Sequence, residues 1–562
     1  MMSPSGSLDN LTNHTDHGYT MTGMDKSTKT PSLDAPISPA SEPERQDEEF
    51  NYLSGWRFYV VAAALQLALF LVNFEITIVS TALVSISNDL NDFGRTSWVV
   101  TAYLITYTAG LVIVAKLSDI FGRKKTYLTV LLIFIAFSGG CGGAQTMVQL
   151  IVLRALQGAG GGGLYAVAFV MLFELVPKAR YPVLLVFSVA LAVLGNALGP
   201  VIGGVISQRT TWRWVFLINV PVGTLIAFCV LISVPNDYPY QGFGKERATN
   251  SRLRLSNIDF TGAILMLTGL ALVISGLEDA ASLLSWTSAS TLAPIIVSAF
   301  VWVAFLFSQW WFTKPGSSVQ PVFPWRFCQS RLVMGLILNS FFTGTVSIAL
   351  IIQLPIRYQT TLGVSPLEAG VRLLPFVLLT SVGAAVSGAI VKNRRVAPIY
   401  VGLFGIILQI IGLVFLSAVP PDHPDWQAVY GLQVLVGFGA GCNIGIVTLL
   451  TPYVVEHRDL AVATAAGTQF RFLGSAVVVS ITTAVGNSWV RDRLSGTLTS
   501  KQIQDIFRSS ATISDLSPEL EAVVRKVFVQ SFNLQFHIIL GFAVASAFSI
   551  LLMWKRKQIL VD

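Results

Sequence analysis

Apolar and polar positions alternate along this chain in long blocks. Fourteen apolar stretches recur, at about 57–80, 97–118, 126–145, 148–174, 183–207, 214–234, 259–277, 292–312, 332–356, 368–391, 397–418, 428–453, 461–485 and 536–554. Most run close to the roughly 20 residues that a helix needs to cross a hydrocarbon core. Charged residues fall mainly between them. A soluble core cannot absorb so many such segments, so the pattern predicts an all-α polytopic membrane protein. Two polar blocks are long: residues 1–50 and the connection 486–535. Within the latter, IQDIFRSS and ELEAVVRKVFVQSF have the periodicity of short amphipathic helices lying on a membrane surface.

Composition agrees. Of 562 residues, 53% are hydrophobic and 12% charged, against about a quarter charged in soluble domains. The basic residues set an orientation. With the amino terminus inside, the short inner loops and carboxyl end hold Arg123, Lys124, Lys125, Lys178, Arg180, Lys245, Arg247, Arg252, Arg254, Lys314, Arg326, Arg331, Lys392, Arg394, Arg395, Arg458, Lys555, Arg556 and Lys557. The short outer loops hold only Arg95, Arg209, Arg213 and Arg357. This asymmetry predicts that both termini are cytoplasmic and that 486–535 lies outside. Residues 1–50, rich in Ser, Thr, Pro and Asp, lack the apolar core of a signal peptide and are expected to be a disordered cytoplasmic tail. The NLT and NHT triplets at Asn10 and Asn13 are then chance matches. The net charge of +7 comes from these short loops and implies no nucleic-acid partner. Cys141, Cys229, Cys328 and Cys442 are widely spaced, and neither a metal site nor a disulfide framework is suggested.

Ionisable groups within spans are costly and mark partners or cavities. Glu75, Arg154 and Arg471 lie inside apolar segments; Glu174, Arg357, Glu368 and Arg372 lie near segment ends. Glu75 falls about five residues before the outer end of segment one, and Arg154 about six after the outer start of segment four, so the two share a depth. An acid and a base at one depth can pair, which is far cheaper than two lone charges. Such a pair is either a static tie or a switch that opens on protonation. Arg471, near the middle of segment thirteen, would anchor a substrate, or else bond a neighbouring carbonyl. Gln66, Asn73, Thr77, Asn339, Gln353, Gln409, Gln433, Asn443 and Gln469 are polar and neutral, and each either joins helices or lines a cavity. Asn73, Thr77 and Thr81 share one face. At the inner end of segment two, AKLSDIFGRKK combines Asp119, a turn glycine at Gly122, and Arg123, Lys124 and Lys125. VLGNALGPVIGG sets Gly195, Gly199 and Gly203 at a spacing of four, with Pro200 and Gly204 beside them. The glycines form a smooth strip for close approach, and the proline can bend the helix.

These blocks together resemble the major facilitator superfamily. AKLSDIFGRKK is similar to its loop signature between spans two and three, with Ala115 in place of the first glycine. LIVLRALQGAGGG resembles the span-four block whose arginine, here Arg154, is linked to proton coupling. VLGNALGPVIGG resembles the span-five block associated with antiporters. FEITIVSTAL resembles the span-one block of the fourteen-span drug:proton antiporters, with Glu75 where aspartate is usual. WRWVFLINVPVG and PIRYQTTLGVSPLEAGVRLLP extend the likeness over roughly 70–475. The resemblance implies a six-helix bundle at 51–235, two inserted helices within 236–331 and a second bundle at 332–555, followed by a short tail at 556–562. It also implies a substrate cavity between the bundles, a proton gradient as energy source with no cofactor or metal, and a monomer. The substrate would be a small, fairly apolar toxin, secondary metabolite or drug, as in fungal efflux pumps that resemble this chain, at the plasma membrane or the vacuolar membrane. An importer of an iron chelate or sugar, or a non-transporting sensor, are the alternatives. An enzyme is disfavoured: the five histidines His14, His17, His423, His457 and His537 are scattered, with no catalytic constellation.

Overall fold

Each apolar block becomes a helix. The computed structural model describes residues 53–177, 180–236, 238, 257–283, 287–314, 317, 319, 321–394, 396–423, 425–455, 460–556 and 558. The expected tail at 1–50 lies outside these residues, as do Lys178, Lys245, Arg247, Arg252, Arg254, Arg395, Arg458 and Lys557 of the inner basic set. The long helices are α1 (Trp56–Asp89), α2 (Thr96–Phe121), α3 (Arg123–Gly143), α4 (Met147–Leu175), α5 (Tyr181–Arg209) and α6 (Arg213–Ser233), the last stepping at Ile218. Next come α7 (Phe260–Leu283), α8 (Ala289–Phe312), α9 (Arg331–Leu362), α10 (Pro366–Arg394), α11 (Pro398–Leu416), α12 (Ala428–Val454), α13 (Leu460–Leu494) and α14 (Pro518–Leu552). Among the described residues, 13 helices are long and apolar enough to cross a membrane. The predicted segment 183–207 is α5, a 29-residue helix with Pro200 inside it. The chain is a multi-pass, all-α membrane protein.

Lipid gives helices no hydrophobic reason to associate, so small residues that let backbones touch decide the packing. Gly158 and Gly162 of α4 sit against the carbonyls of Tyr103 and Tyr107 in α2, while Gly160 meets the Phe134 backbone of α3. The same triplet returns in α12. Gly437 and Gly441 sit against the Phe376 and Thr380 carbonyls of α10, and Gly439 against Gly405 of α11. The chain therefore carries an internal repeat, with α2, α3 and α4 echoed by α10, α11 and α12. Its sequence signal is the spacing Gly-x-Gly-x-Gly at 158–162 and 437–441.

The two halves of the chain meet along α1–α9, α2–α13 and α5–α10. Gln359 Nε2 donates to the Thr81 carbonyl at 3.1 Å, and Gln469 Nε2 to the Thr108 carbonyl at 3.1 Å. The α7–α8 hairpin packs through α7 on both α2 and α13. Its start is held by Asp259, which accepts from Gln309 Nε2 (2.7 Å) and from the backbone N–H of Gly262 and Val322 (2.6 and 3.2 Å).

The connection 486–535 is mostly helical, and the short helix expected at IQDIFRSS is present, but the second piece differs from expectation. α13 runs on to Leu494, a short helix Ser500–Arg508 follows, and ELEAVVRKVFVQSF is the first part of α14 rather than a separate surface helix. Val490, Leu494, Ile506, Phe507, Ile513, Val524 and Phe528 pack with Val84 and Phe93 into a core over the Asp89 end of α1. Asn88 Oδ1 fixes it by accepting from Ser509 Oγ and the Ser510 N–H, both at 3.0 Å.

Arg357 is also misplaced by the loop count. It lies inside α9, 2% exposed, beside the Phe536 ring and with neither Nη bonded.

Candidate functional site

The depth argument for Glu75 and Arg154 holds in three dimensions. α1 and α4 bring Glu75 Oε1 to 2.5 Å from Arg154 Nη1, with Glu75 0% and Arg154 1% exposed. Arg154 Nη1 also donates to Gln157 Oε1 (2.7 Å), and Nε donates to the Val99 carbonyl of α2 (2.9 Å). Gln157, one turn along α4, donates through Nε2 to Glu75 Oε1 (3.1 Å) and to Ser138 Oγ of α3 (2.7 Å). Asn219 Nδ2 of α6 donates to Glu75 Oε2 at 2.5 Å. The Tyr103 and Phe216 rings flank the guanidinium, 4.2 and 5.4 Å from it. Both carboxylate oxygens are thus bonded, and five helices are tied to one acid. In a low dielectric, that satisfaction is what makes a buried charge tolerable.

The sequence reading missed Gln157 and Asn219. Gln157 carried a signal, since it stands three residues after Arg154 and so on the same face. Asn219 carried less, because the step at Ile218 sets which face of α6 it occupies.

The AKLSDIFGRKK turn forms a second cluster. Gly122 has φ of 92°, a conformation that side-chain-bearing residues avoid, and it ends α2 and starts α3. Arg123 pairs with Asp119 and Glu174, its Nη2 being 2.7 Å from Glu174 Oε1, and donates to Ser118 Oγ at 2.6 Å. Lys124 Nζ donates to the Leu231 and Val234 carbonyls at the end of α6 (2.9 and 2.6 Å), satisfying groups that a helix end leaves bare. Four helix ends are fastened there.

VLGNALGPVIGG is two-sided. Gly195, Gly199 and Gly203 face the α1 backbone, and a methyl on Gly199 would lie 2.9 Å from the Ile78 N. Gly204 faces α10 instead, where a methyl would lie 2.6 Å from Leu367 Cα, and Gly370 of α10 abuts the Pro200 carbonyl. Thr81 Oγ1 donates to that carbonyl at 3.0 Å. Gly199→Leu is therefore expected to overpack the α1–α5 contact, at a cost of about 1–3 kcal/mol or more. Gly388→Leu, where nothing lies within 4 Å, is the control. Melting temperatures of the purified variants should separate the two.

Several of the cavity candidates hydrogen-bond within or between helices in this structure. Thr77 Oγ1 lies between the Phe74 carbonyl of its own helix (3.2 Å) and the Gly195 carbonyl of α5 (3.4 Å), and Asn73 Nδ2 donates to the Leu69 carbonyl of its own helix at 2.7 Å. Asn339 Nδ2 donates to Ser549 Oγ of α14 (3.1 Å), Gln353 Nε2 to Thr482 Oγ1 of α13 (3.0 Å), and Gln469 joins α13 to α2 as above. Asn443 is buried with neither side-chain polar atom bonded. Arg471 is partly exposed, over the Phe472 ring at 5.2 Å and alongside the Tyr165 hydroxyl of α4. Tyr165, Phe169 and Phe173 then form an aromatic row along α4. Among the described residues, no group of His, Cys, Asp and Glu could hold a metal ion.

A helix bundle with an internal repeat, a buried ion pair and a charge-locked turn at one end is the architecture of a membrane transport protein. The comparisons are specific: the model of the Major Facilitator Superfamily matches residues 65–479, and the chain belongs to that superfamily. It is a transporter and not an enzyme. MFS-type transporter FPY5 of Fusarium mangiferae is 36% identical over 507 residues, 90% of this chain and 85% of that one. Multidrug resistance protein 3 of Bacillus subtilis is 30% identical over 422 residues, 75% and 78% of the two chains. The rubrofusarin-specific efflux pump aurT of Gibberella zeae is 27% identical over 448 residues, 80% of each. In fold, the chain is similar to an inward-facing, unoccupied bacterial homologue of the human lysosomal transporter Spinster, with TM-score 0.63 and 15% identity. That likeness covers 90% of this chain and all of the other.

Proposed function

We propose that this protein exports small, fairly apolar organic molecules in exchange for protons, by alternating access. The fine architecture proposed is fourteen spans, with α5 counted among them: bundles α1–α6 and α9–α14, and the α7–α8 hairpin inserted between. The cavity would be lined by α1, α2, α4 and α5 and by their counterparts α9, α10, α12 and α13. Both termini would be cytoplasmic and the protein a monomer in the plasma membrane, the vacuolar membrane being the other candidate. The names of the efflux relatives support the direction of transport.

The observation that carries proton coupling is the Glu75–Arg154 pair, sealed from solvent and held by Gln157 and Asn219. A proton arriving on Glu75 cancels the charge that holds Arg154. The amides of Gln157 and Asn219 can still bond the neutral carboxyl, so the acid keeps its place while the tie to α4 weakens. Return to the inward-facing state then follows, and the proton leaves as substrate loads. Arg471 and the neighbouring aromatic row would meet the substrate. Asp119, Gly122, Arg123 and Lys124 would hold the inner ends of the first bundle together as it rocks, and the Gly195–Gly204 strip would be its pivot.

Inside-out vesicles with an acid lumen test this, using ethidium and rubrofusarin as probes. Accumulation that collapses with the pH gradient is expected. Accumulation indifferent to the gradient would remove the coupling, and gradient-driven movement outward would favour the importer.

A further inference from the structure

The inserted hairpin carries an acid that the proposed cycle does not use. Glu278, on α7, is 4% exposed. Its Oε1 accepts from Ser97 Oγ of α2 at 2.6 Å, and its carboxyl lies alongside the Ser480 hydroxyl of α13. Ser480 Oγ is buried, and this carboxyl is its neighbour for hydrogen bonding. Leu277, Ala484 and Ile481 close the surroundings with hydrocarbon.

The charges that face this carboxyl are few. Asp279 adjoins it on α7, and α2 and α13 contribute the two hydroxyls. The turn Phe93–Arg95 also packs on α7, but Arg95 is half-exposed and lies 3.5 Å from Asp92. α8 has no charged residue. The basic Arg491 and Arg493 of α13 lie about three turns beyond Ser480. Glu278 thus differs from Glu75, which has a guanidinium at 2.5 Å. A carboxylate without a countercharge in such a place is costly, whereas a carboxylic acid completes the bonding. It accepts from Ser97 and donates its proton to the Ser480 oxygen. The position also matters, because α2 belongs to the first proposed bundle and α13 to the second, with α7 packed on both.

We propose that Glu278 is a second proton-binding site, occupied while α2, α7 and α13 are packed together and emptied when that seam parts. The release step rests on the proposed rocking of the two bundles. The proton passes from the carboxyl oxygen to entering water, leaving a hydrated carboxylate. The hairpin thereby becomes a proton-dependent clasp between the bundles.

Infrared difference spectroscopy on the full-length protein in lipid nanodiscs, titrated with pH, reads the carbonyl stretch of protonated carboxyl groups. It needs no substrate. Wild type should show titrating bands from both sites, with Glu75→Gln deleting one and Glu278→Gln deleting a different one. Glu278→Asp should shift that second band rather than remove it. Should Glu278→Gln fold poorly, Ser97→Ala serves instead, since losing the 2.6 Å bond must move the same band. A Glu278→Gln spectrum superimposable on wild type, or a Glu278 band that persists unchanged at every pH, overturns the proposal. Loss of the Glu278 band in a protein whose transport ignores the pH gradient would uphold the site and overturn the function proposed above.

Discussion

Glu75→Gln is expected to fold normally and to lose gradient-driven accumulation of probe entirely, down to the level of vesicles lacking the protein. Glutamine has nearly the shape of glutamic acid: its amide oxygen can accept from Arg154 and Gln157, and its NH2, in place of Oε2, can donate to Asn219 Oδ1 once that amide flips. It cannot exchange a proton. The variant is fixed in the charge state of the protonated protein, so one half of the cycle has no return. Counterflow of labelled against unlabelled probe, which uses the deprotonated, substrate-loaded half of the cycle, should fall with accumulation. The measurement is transport and counterflow in the same vesicle preparation. A variant with wild-type accumulation would make the pair a static tie.

The opposite truncation should act on the fold. Arg154→Leu leaves the Glu75 carboxylate fully buried beside apolar Tyr103 and Phe216 rings and without its cation. Stranding one partner of a buried pair costs about 3–5 kcal/mol. That is a large part of the stability of an ordinary domain, so a steep fall in folded yield and melting temperature in detergent is expected. The double variant Glu75→Gln, Arg154→Leu removes the stranded charge and should recover most of the loss while remaining inactive. Equal destabilisation of the single and double variants would show that Arg154 matters by its packing and its bond to the Val99 carbonyl, and not by its charge.

What the sequence disclosed follows from which physical quantity decided each feature. Span length and helical rise decide depth, and depth was enough to match Glu75 with Arg154. Hydropathy decides which stretches become helices, and every apolar block did. Rotation about a helix axis is a different matter. Thr77 and Asn73 form a polar face in α1 whether that face lines a cavity or packs on α5; only the structure shows that Thr77 lies against Gly199. Asn219 depended on the step at Ile218, and Glu278 stood just past the end of its apolar block, where a charge draws little notice. ELEAVVRKVFVQSF misled for a related reason. Its apolar stripe predicts a helix on a membrane surface, but it faces Val84, Val490 and Leu494 within the protein.

That last feature limits how this protein can be recombined with its relatives. The segment between α13 and α14 shares one core with the far end of α1, although more than 400 positions separate Asn88 from Ser509 and Ser510. A chimera that exchanges residues 490–532 alone would set foreign side chains against Val84, Asn88 and Phe93. Exchanged together with residues 84–95, the same segment brings its own seat. Grafts meant to transfer specificity should therefore treat these two distant stretches as a single heritable module.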